Sequence, residues 1–473
     1  MKTCNRSLRM LLAGALVAVL VTLAWPALAQ AATIAVNTTA DEINADGDCS
    51  LREALTAANT DVAVDACPAG SGADSITLPA GTYTLTIAGS GAAAGDLDIT
   101  DDLMLVGSGP LNTIIDANGL DRVFAISSES VANISNVTIS GGNSGIAGGS
   151  GIYVNNSTAT LTRVRVSNNV PNGGIFLVGT ASLTVVDSRV EQNTGHGIAM
   201  QSTTTATILY STISGNTADD TGGGIISNGT LTVVNSTISG NMALNYGGGI
   251  ASSGATSLLN VTIANNTANS DANAFGTGGG VYIYGGGVLR ARNTLIGGNA
   301  DNSSLSPDPD CSGTLTSEGY NLIENTSGCV IAGSAFGNIT GITPILGPLQ
   351  NNGGPTFTHA LLAGSPAIDA GNALGCADQN AVDLTTDQRG FLRTALCDMG
   401  AYEYNSPGAP PPTNTPTRTR TPTPTATATR SPTATNSSTP TASPSPTRTA
   451  TAATTSTPAN ALTATATSSI TPS

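Results

Sequence analysis

The chain has 473 residues, of which 56 are glycine, whereas aromatic residues make up only 3 % and charged residues only 10 %. Its one lysine is Lys2, which excludes a lysine Schiff base, a P-loop lysine and a lysine-rich surface for nucleic acid. All 31 acidic residues lie between the basic leader and the arginine-containing tail, together with nine arginines, so this central region carries a net charge of −22. Charge of this sign and density repels nucleic acid and anionic membranes, and it disfavours polyanionic partners.

Residues 1–31 have the features of a secretory signal peptide. Basic residues precede the apolar run Met10–Leu23, and small residues near Ala29 or Ala31 offer a cleavage site. The apolar run is shorter than the ~20 residues that a membrane-spanning helix needs. We therefore predict a mature chain without a membrane span that is secreted or displayed at the cell surface.

Six cysteines follow the leader as three local couples, separated by 18, 18 and 21 residues. In an exported chain such cysteines are typical of disulfides, although six cysteines allow many pairings. The spacing favours Cys49–Cys67, Cys311–Cys329 and Cys376–Cys397. It disfavours a zinc site, because there is no CxxC spacing and no neighbouring histidine.

Residues 406–473 differ in composition from the rest of the chain, since Thr, Pro, Ala and Ser dominate and no acidic residue is present. A segment of this kind cannot bury enough apolar surface to offset the entropy lost on ordering. We predict a disordered stalk or linker here.

The middle of the chain is a repeat of short β-type segments. An aliphatic anchor recurs at intervals of 23 to 33 residues, at Ile139, Val166, Val190, Ile213, Ile238, Ile263 and Ile296. Gly-Ile or Gly-Val pairs recur in phase with the anchors, and a run of alternating apolar and polar residues precedes most of them. Three such runs per coil exclude a helical repeat, and a single coil cannot bury its own apolar face unless neighbouring coils stack. The pattern predicts an all-β parallel β-helix solenoid with three short strands per coil of about 24 residues.

Asparagine stands three residues after six of the anchors, at Asn169, Asn193, Asn216, Asn241, Asn266 and Asn299. Asparagines at equivalent corners of stacked coils can pair their side-chain amides, and asparagine and glycine both tolerate the left-handed backbone of a tight corner. We interpret these repeated residues as structural.

A short amphipathic helix is predicted just before the first coil. Ser50 and Glu53 have the spacing of a capping box, and an apolar stripe follows at Leu51, Ala54, Leu55 and Ala58. Such a helix can cover the open end of a stack of strands. The residues Cys49–Ala54 read CSLREA, and this segment resembles the CSLREA domain of exported bacterial proteins.

The repeats that follow resemble the right-handed parallel β-helix of the pectate-lyase-like superfamily. Four motifs near the end of the folded region resemble the choice-of-anchor Q domain: Leu346–Gly354, Gly364–Asp369, Asp387–Gly390 and Asp398–Glu403. These resemblances imply a CSLREA cap over residues 32–75, β-helix repeats over 76–310 and a choice-of-anchor-Q-like domain over 311–405. The charged residues of the last domain are expected to form stabilising ion pairs and hydrogen bonds, namely Asp369, Arg389, Arg393, Asp398 and Glu403.

A calcium loop is the metal site that the sequence favours most. Glu42, Asn44, Asp46, Asp48 and Glu53 nearly fit the spacing of an EF-hand loop, with Glu in place of the first Asp. Against calcium, Glu53 is also required by the capping box, and Gly and Asp residues are common in an ordinary turn before a helix.

Pectate-lyase-like enzymes use acidic calcium ligands and a basic residue as the proton abstractor. In this chain the basic candidates are arginines, namely Arg163, Arg165, Arg189, Arg290 and Arg292. Arg163 and Arg165 are two residues apart, and on one strand they would share a face. No acidic ladder of fixed spacing accompanies them, so outward-facing surface charge is the competing interpretation.

His196 lies in a Gly-His-Gly segment that resembles an element of polygalacturonases. In this chain, however, Asp219 and Asp220 follow the histidine instead of preceding it, and the R-I-K motif of those enzymes is missing. His196 also coincides with the recurrent Gly-x-Gly-Ile turn, which favours a structural role.

The sequence therefore favours a secreted or cell-surface β-helix scaffold, adhesin-like and non-catalytic, that contacts extracellular polysaccharide or cell-envelope components as a monomer. The alternative is a polysaccharide lyase or glycoside hydrolase. A cleft with three or more clustered carboxylates beside an arginine or calcium would favour the enzyme, whereas a surface covered by Thr, Ser and Asn would favour the scaffold.

Overall fold

The structure is a computed structural model that describes residues 31–407, except 90, 92, 146–147, 273–274, 305–306, 374–375 and 395. Almost all of the predicted signal peptide and of the predicted disordered tail lies outside the described residues. All described residues belong to one compact unit. Within them, no helix has the length and apolar character needed to cross a bilayer.

The described chain contains one helix, α1, over Leu51–Thr60, and 37 strands. The first eighteen strands in chain order are β1 Thr33–Ala35, β2 Asp74–Thr77, β3 Gly81–Thr84, β4 Leu97–Ile99, β5 Leu103–Val106, β6 Thr113–Asp116, β7 Phe124–Ile126, β8 Val131–Ser135, β9 Thr138–Ser140, β10 Ile152–Asn155, β11 Thr158–Thr162, β12 Arg165–Ser167, β13 Ile175–Val178, β14 Ser182–Val186, β15 Arg189–Glu191, β16 Ile198–Met200, β17 Thr205–Leu209 and β18 Thr212–Ser214.

The remaining nineteen strands are β19 Thr217–Ala218, β20 Ile225–Ser227, β21 Thr230–Val234, β22 Thr237–Ser239, β23 Met242–Ala243, β24 Ile250–Ser252, β25 Ala255–Leu259, β26 Thr262–Ala264, β27 Thr267–Ala268, β28 Val281–Ile283, β29 Val288–Arg292, β30 Leu295–Gly297, β31 Ala300–Asp301, β32 Cys311–Ser317, β33 Leu322–Ile323, β34 Cys329–Gly333, β35 Ile339–Thr340, β36 Leu346–Gln350 and β37 Thr358–Leu361. All pairs of neighbouring strands are parallel except the terminal hairpin β36–β37.

The strands form long sheets that run along the molecule, because each strand pairs with its equivalent in the next coil. Sheet A contains β1, β2, β5, β8, β11, β14, β17, β21, β25, β29, β32 and β34. Sheet B is the eleven-stranded sheet from β3 to β35. A four-stranded sheet C contains β19, β23, β27 and β31, and sheet D runs from β4 to β28 and joins sheet A through β32. The chain visits A, B, C and D in turn, so the fold is the predicted right-handed parallel β-helix.

The interior of the solenoid is a set of aliphatic columns. All seven predicted anchors are buried, with at most 1 % of their surface exposed. Equivalent anchors pair directly across coils, as Val166 does with Ile139 and Val190. Because each column repeats one kind of side chain at the strand spacing, the narrow interior fills without large aromatic residues.

The predicted asparagines form a continuous ladder of buried side chains. Each amide nitrogen donates to the amide oxygen of the asparagine in the next coil, for example Asn193 Nδ2 to Asn216 Oδ1 at 2.9 Å and Asn216 Nδ2 to Asn241 Oδ1 at 2.9 Å. The ladder ends where Asn299 Nδ2 donates to the carboxylate of Asp310 at 2.9 Å. The left-handed backbone occurs one residue before the ladder position, as at Asn168, which has φ +58°.

Helix α1 covers the N-terminal end of the solenoid, as predicted. The hydroxyl of Ser50 accepts from the Glu53 backbone N–H, and the Glu53 carboxylate accepts from the Ser50 N–H, which completes the capping box. The apolar stripe of the helix joins the main core. A disulfide between Cys49 and Cys67 fixes the segment around the helix, and the other two cysteine pairs are those that the spacing favours.

The solenoid extends beyond the boundary predicted at residue 310. Strand β32 pairs with both β28 and β29, and β33 and β35 continue sheet B, so the last solenoid strand ends at Thr340. Residues 344–406, apart from 374–375 and 395, form what we call the C-terminal segment, which packs along the outer face of sheet B. Ser406, placed by prediction in the disordered tail, is buried and donates its hydroxyl to the Leu392 carbonyl at 2.5 Å.

We expect Asn216→Ala to lower the free energy of unfolding by about 3 kcal/mol, because the Asn193 amide and backbone N–H would both lose a buried acceptor. Urea denaturation followed by circular dichroism measures this difference. The exposed Asn112 provides the control, and Asn112→Ala should stay within about 0.5 kcal/mol of the unmodified protein. An equally small effect of Asn216→Ala would show that the ladder contributes little to stability.

Candidate functional site

A groove lies on the outer face of sheet B, between the loop 107–112 and the C-terminal segment. It consists of two adjoining cavities of about 570 and 480 Å³, and both are lined by Arg163, Asp187 and Pro355. The loop is held on the sheet by a hydrogen bond of 2.5 Å from the Thr138 hydroxyl to the Pro110 carbonyl. The groove therefore lies at the edge of the C-terminal segment, where sheet B emerges from beneath it.

The floor of the groove is a charged network on strands β12 and β15. Arg165 Nε donates to Glu191 Oε1 at 2.5 Å, and Arg189 Nη1 lies 3.6 Å from Glu191 Oε2. Arg165 and Arg189 are neighbours in adjacent strands, so their side chains leave the same face of sheet B. Burial lowers the pKa of Arg189 from its usual value, while Glu191 opposes that change.

Arg163 and Asp187 separate the two cavities. Their side chains lie 3.9 Å apart, and that of Arg163 is 63 % exposed. Burial raises the pKa of Asp187, and the charge of Arg163 opposes this shift. Arg163 is not on the same strand as Arg165, contrary to prediction: it occupies the corner between β11 and β12 with φ +53°. The two arginines nevertheless line the same cavity.

Phe357 from the C-terminal segment forms an apolar wall. Its ring centroid lies 4.6 Å from the Arg189 guanidinium carbon, a cation–π contact. Its carbonyl accepts from the Thr212 hydroxyl at 2.6 Å and from Gln388 Nε2 at 3.1 Å, which fixes the wall to sheet B. The exposed side chain of Leu111 lines the opposite side of the same cavity.

The groove combines planar hydrogen-bond donors with apolar walls. Four arginines line it, and the charge of one of them, Arg389, is balanced by its ion pair with Asp387. The other three exceed the two carboxylates beside them, those of Asp187 and Glu191, by one charge, in a region whose net charge is −22. Both carboxylates already lie beside arginines, since Glu191 contacts two of them and Asp187 contacts Arg163. The groove can therefore bind hydroxyl or carboxylate oxygens through arginine, but its carboxylates form no cluster of three.

The other predicted catalytic residues lie outside the groove. His196 occupies the turn before β16, where its Nδ1 lies 3.0 Å from the Gly222 carbonyl. Asp219 and Asp220 are exposed in the next coil, and Asp220 accepts from Asn245 Nδ2 at 2.8 Å. In each coil these residues lie in the part of the chain between a strand of sheet B and the next strand of sheet D. They are therefore not part of the groove on sheet B, which we call the arginine groove.

Arg290 and Arg292 belong to sheet A in later coils. Arg290 is half-exposed and lies 3.8 Å from Glu318. Arg292 Nη2 donates to the carbonyls of Ala377 and Asp378 at 3.2 and 2.7 Å, which ties the C-terminal segment to the solenoid. Neither arginine lines the groove.

Three of the predicted calcium ligands lie together near the N-terminal cap. Carboxylate oxygens of Glu42, Asp46 and Asp48 are within 4.8 Å of one another, and the Asn44 amide donates to both Glu42 and Asp46. Desolvation and the neighbouring carboxylates raise the pKa values of Glu42 and Asp48. Glu53 takes no part, because its two oxygens accept from the backbone N–H groups of Asn44 and Ser50. A calcium ion here would have three carboxylates as protein ligands.

Four of the five charged residues predicted to stabilise the C-terminal segment lie in its interior, whereas Asp369 is exposed and contributes only its backbone N–H. Arg393 Nη1 lies 3.1 Å from Glu403 Oε2, and Arg389 pairs with Asp387 at 2.6 Å. Asp398 Oδ1 accepts from the Asp369 N–H at 2.7 Å. These contacts order the segment that supplies one wall of the groove.

Sequence reasoning identified three arginines of the groove but not Phe357, Asp187 or Leu111. These residues have no shared motif, and Phe357 is 168 positions after Arg189. One signal was present: an aromatic side chain is rare in this chain, and Phe357 lies in a charge-free stretch next to a Gly-Gly-Pro turn.

A comparison with known protein families agrees with the fold. A family model described as "Right handed beta helix region" matches residues 112–268. The crystal structure of pectate lyase Pel9A superposes with a TM-score of 0.40 at 13 % identity, covering 80 % of this chain and 98 % of that one. The A-module of the Azotobacter vinelandii mannuronan C-5 epimerase AlgE4 gives 0.29 at 16 % identity, covering 57 % of this chain and 88 % of that one. At these values neither likeness informs the chemistry of this chain. No curated protein sequence matches it.

We expect the stability of the C-terminal segment to fall as the pH rises through neutrality. Burial, and then the charge of Glu403, raises the pKa of Asp398 from its usual 3.8 to about 7. Folding therefore favours the protonated acid, and the resulting stabilisation is complete below pH 3.8 and lost as the pH rises through 7.

Urea denaturation of the unmodified protein and of Asp398→Asn at pH 5 and pH 8 tests this expectation. The pH dependence should be weaker in Asp398→Asn and unchanged in Asp383→Asn, which alters an exposed aspartate of the same segment. Burial also raises the pKa values of Asp96 and Asp310 to about 6, so these two groups make stability depend on pH as well. The variants separate the contribution of Asp398 from theirs. Equal pH dependence in all three proteins would contradict the assignment to Asp398.

Calcium at the N-terminal cluster stays a prediction. Calcium in place of a chelator should raise the melting temperature of the protein by a few degrees, because an ion that binds only the folded state stabilises it. Asp46→Asn should abolish the shift and Asp219→Asn, at an exposed distant aspartate, should preserve it. Identical melting temperatures with calcium and chelator would exclude the site.

Proposed function

We propose that the protein is a non-catalytic, adhesin-like β-helix scaffold of the cell exterior that binds extracellular polysaccharide in the arginine groove. The observation that carries the proposal is the groove itself: three of the nine arginines of the central region share one of its cavities with an aromatic wall. The three disulfides are consistent with an oxidising compartment.

The chemistry of the groove fits a sugar chain. The apolar face of a pyranose ring can lie against Phe357 and Leu111, while its hydroxyls accept hydrogen bonds from Arg163 and Arg165. Glu191 holds the guanidinium group of Arg165 with a hydrogen bond and lies 3.6 Å from that of Arg189, so these two arginines lose little side-chain entropy on binding.

The charge of the protein favours a glycan that is neutral or sparsely charged. The groove has a net charge of only one positive unit, whereas the surrounding region is strongly negative. A densely charged polyanion would be repelled before it reached the groove. An isolated carboxylate on the glycan could still pair with Arg163, which is the most exposed of the three arginines.

The two carboxylates of the groove do not favour the alternative, a lyase or hydrolase. General acid–base catalysis needs a titratable group that is free to exchange a proton with the substrate. Here Glu191 is shared by two arginines and Asp187 lies beside a third. The resemblance to CSLREA and choice-of-anchor Q domains also favours surface display over catalysis.

Binding and cleavage should be measured together on a panel of neutral and acidic polysaccharides, with calcium and with chelator. We expect binding to neutral chains, weak binding to polygalacturonate and alginate, and no new reducing or unsaturated ends. Phe357→Ala and Arg165→Ala should each weaken binding about tenfold, which corresponds to ~1.4 kcal/mol.

Matched controls are available for both substitutions. Phe275→Ala removes a more exposed phenylalanine outside the groove, and Arg290→Ala removes a half-exposed arginine of sheet A. Both should retain full affinity. Reproducible depolymerisation of any polysaccharide by the purified protein would overturn the non-catalytic assignment, and equal losses in the controls would place binding outside the groove.

A further inference from the structure

The two ends of the solenoid are built differently. At the N-terminal end, helix α1 covers the first coils with a buried apolar stripe. At the other end, within the described residues, the last strand of sheet A is β34, which pairs with β32 on one side and with no strand on the other. Alternate N–H and C=O groups of β34 therefore point away from the solenoid without a strand partner.

The uncovered end also exposes apolar side chains. Val330 on β34 is 61 % exposed, Phe336 after it is 70 % exposed and Ile342 is 51 % exposed, while Ile331 packs only partly against the core. We call this end, formed by β34, Phe336 and Ile342, the terminal face. Exposed apolar surface beside an open strand edge is typical of an interaction surface.

The terminal face lacks the charges that commonly protect such an edge. The sequence from residue 325 to residue 358 contains no charged residue, although one residue in ten is charged in the chain as a whole. Acidic side chains near it are already engaged: Glu318 pairs with Arg290, and Glu324 accepts from Gly298 N–H and the Thr343 hydroxyl. The carboxylate of Asp308, which lies beside Gly328, accepts from the Thr277 hydroxyl. A neutral patch on a strongly negative protein is a place where two identical molecules can meet without mutual repulsion.

We propose that the terminal face binds the terminal face of a second copy of this chain, forming an end-to-end dimer. Two β34 strands related by a two-fold axis run antiparallel, so each can supply the missing hydrogen-bond partners of the other. Val330 and Phe336 of each copy lose their exposed surface in the same contact. The monomer expected from the sequence is then the minor form at high concentration.

The capped end determines which arrangement forms. Head-to-tail stacking would place β34 of one copy against the N-terminal coils of the next and would generate an open filament. Helix α1 and its disulfide-fixed surroundings occupy that end, which blocks the filament. The disulfide between Cys311 and Cys329 fixes the start of β34 to the preceding strand, so the edge is already ordered before a partner arrives.

The dimer extends the proposed function but does not rest on it. Each copy keeps its own groove on sheet B, so a dimer presents two grooves and gains avidity on a polymer that spans both. Loss of the dimer would weaken binding to a glycan-coated surface while the affinity of a single groove for a short oligosaccharide stayed the same.

Sedimentation velocity of the full chain over a wide concentration range tests the proposal. The sedimentation coefficient should rise from monomer to dimer with concentration, and Val330→Lys should raise the dissociation constant about tenfold or more. Val62→Lys is a matched control, because Val62 is 60 % exposed and follows α1 at the opposite end. Circular dichroism melts establish that each variant is folded.

Hydrogen exchange provides a second measurement. The backbone amides of β34 should exchange more slowly as the protein concentration rises, while those of β14 in the middle of sheet A should not change. A protein that stays monomeric at every concentration would overturn the proposal. So would a dimer that Val330→Lys leaves intact, or one that Val62→Lys disrupts equally. Oligosaccharide binding by Val330→Lys separates this result from a failure of the groove.

Discussion

The buried asparagine ladder is the interaction on which the register of the solenoid depends. A side-chain amide has both a donor and an acceptor, so one residue per coil can satisfy its neighbours on both sides. An amide in this position has no access to water, and a coil that slipped by one residue would leave it unpaired and turn the aliphatic anchors outward. Insertions are therefore confined to corners, as in the longest coil, where 33 residues separate Ile263 from Ile296.

The groove forms where this regularity is interrupted. A bare solenoid face is a repetitive surface with shallow relief, and the loop 107–112 and the C-terminal segment add the walls that it lacks. The structural role of sheet B also differs along its length: Arg165 and Arg189 are open to the groove, whereas Thr212, Thr237 and Thr262 of the following strands bond to the C-terminal segment. One sheet thus contributes both the proposed binding surface and an internal interface.

Much of the fold could be predicted from the sequence, because its determinants are local and periodic. The anchors, the asparagine positions and the capping box are each recognisable within a few dozen residues, and all lie where predicted. The end of the solenoid was misplaced because β32 to β35 lack the anchor–asparagine spacing, although they still pair in parallel.

Only the part of the groove that belongs to the solenoid repeat could be predicted from the sequence. Its arginines belong to the repeat, whereas Phe357 and Gln388 reach them through contacts between distant parts of the chain, which leave no local pattern. The left-handed conformation of Arg163 is likewise a property of the folded corner. For the same reason, His196, Asp219 and Asp220 were grouped by motif, but the topology separates them from the arginines.

The sequence separation between interacting residues also determines which part of the protein can fold first during synthesis. Bonds within the asparagine ladder join residues mostly 23 to 33 positions apart, so each coil can stack as soon as the next one emerges. The bonds that hold the C-terminal segment to sheet B join residues 120 to 176 positions apart. Because chains are synthesised from the N-terminus, the solenoid can be complete while the groove does not yet exist. A nascent or truncated chain would contain a folded solenoid and still lack the groove.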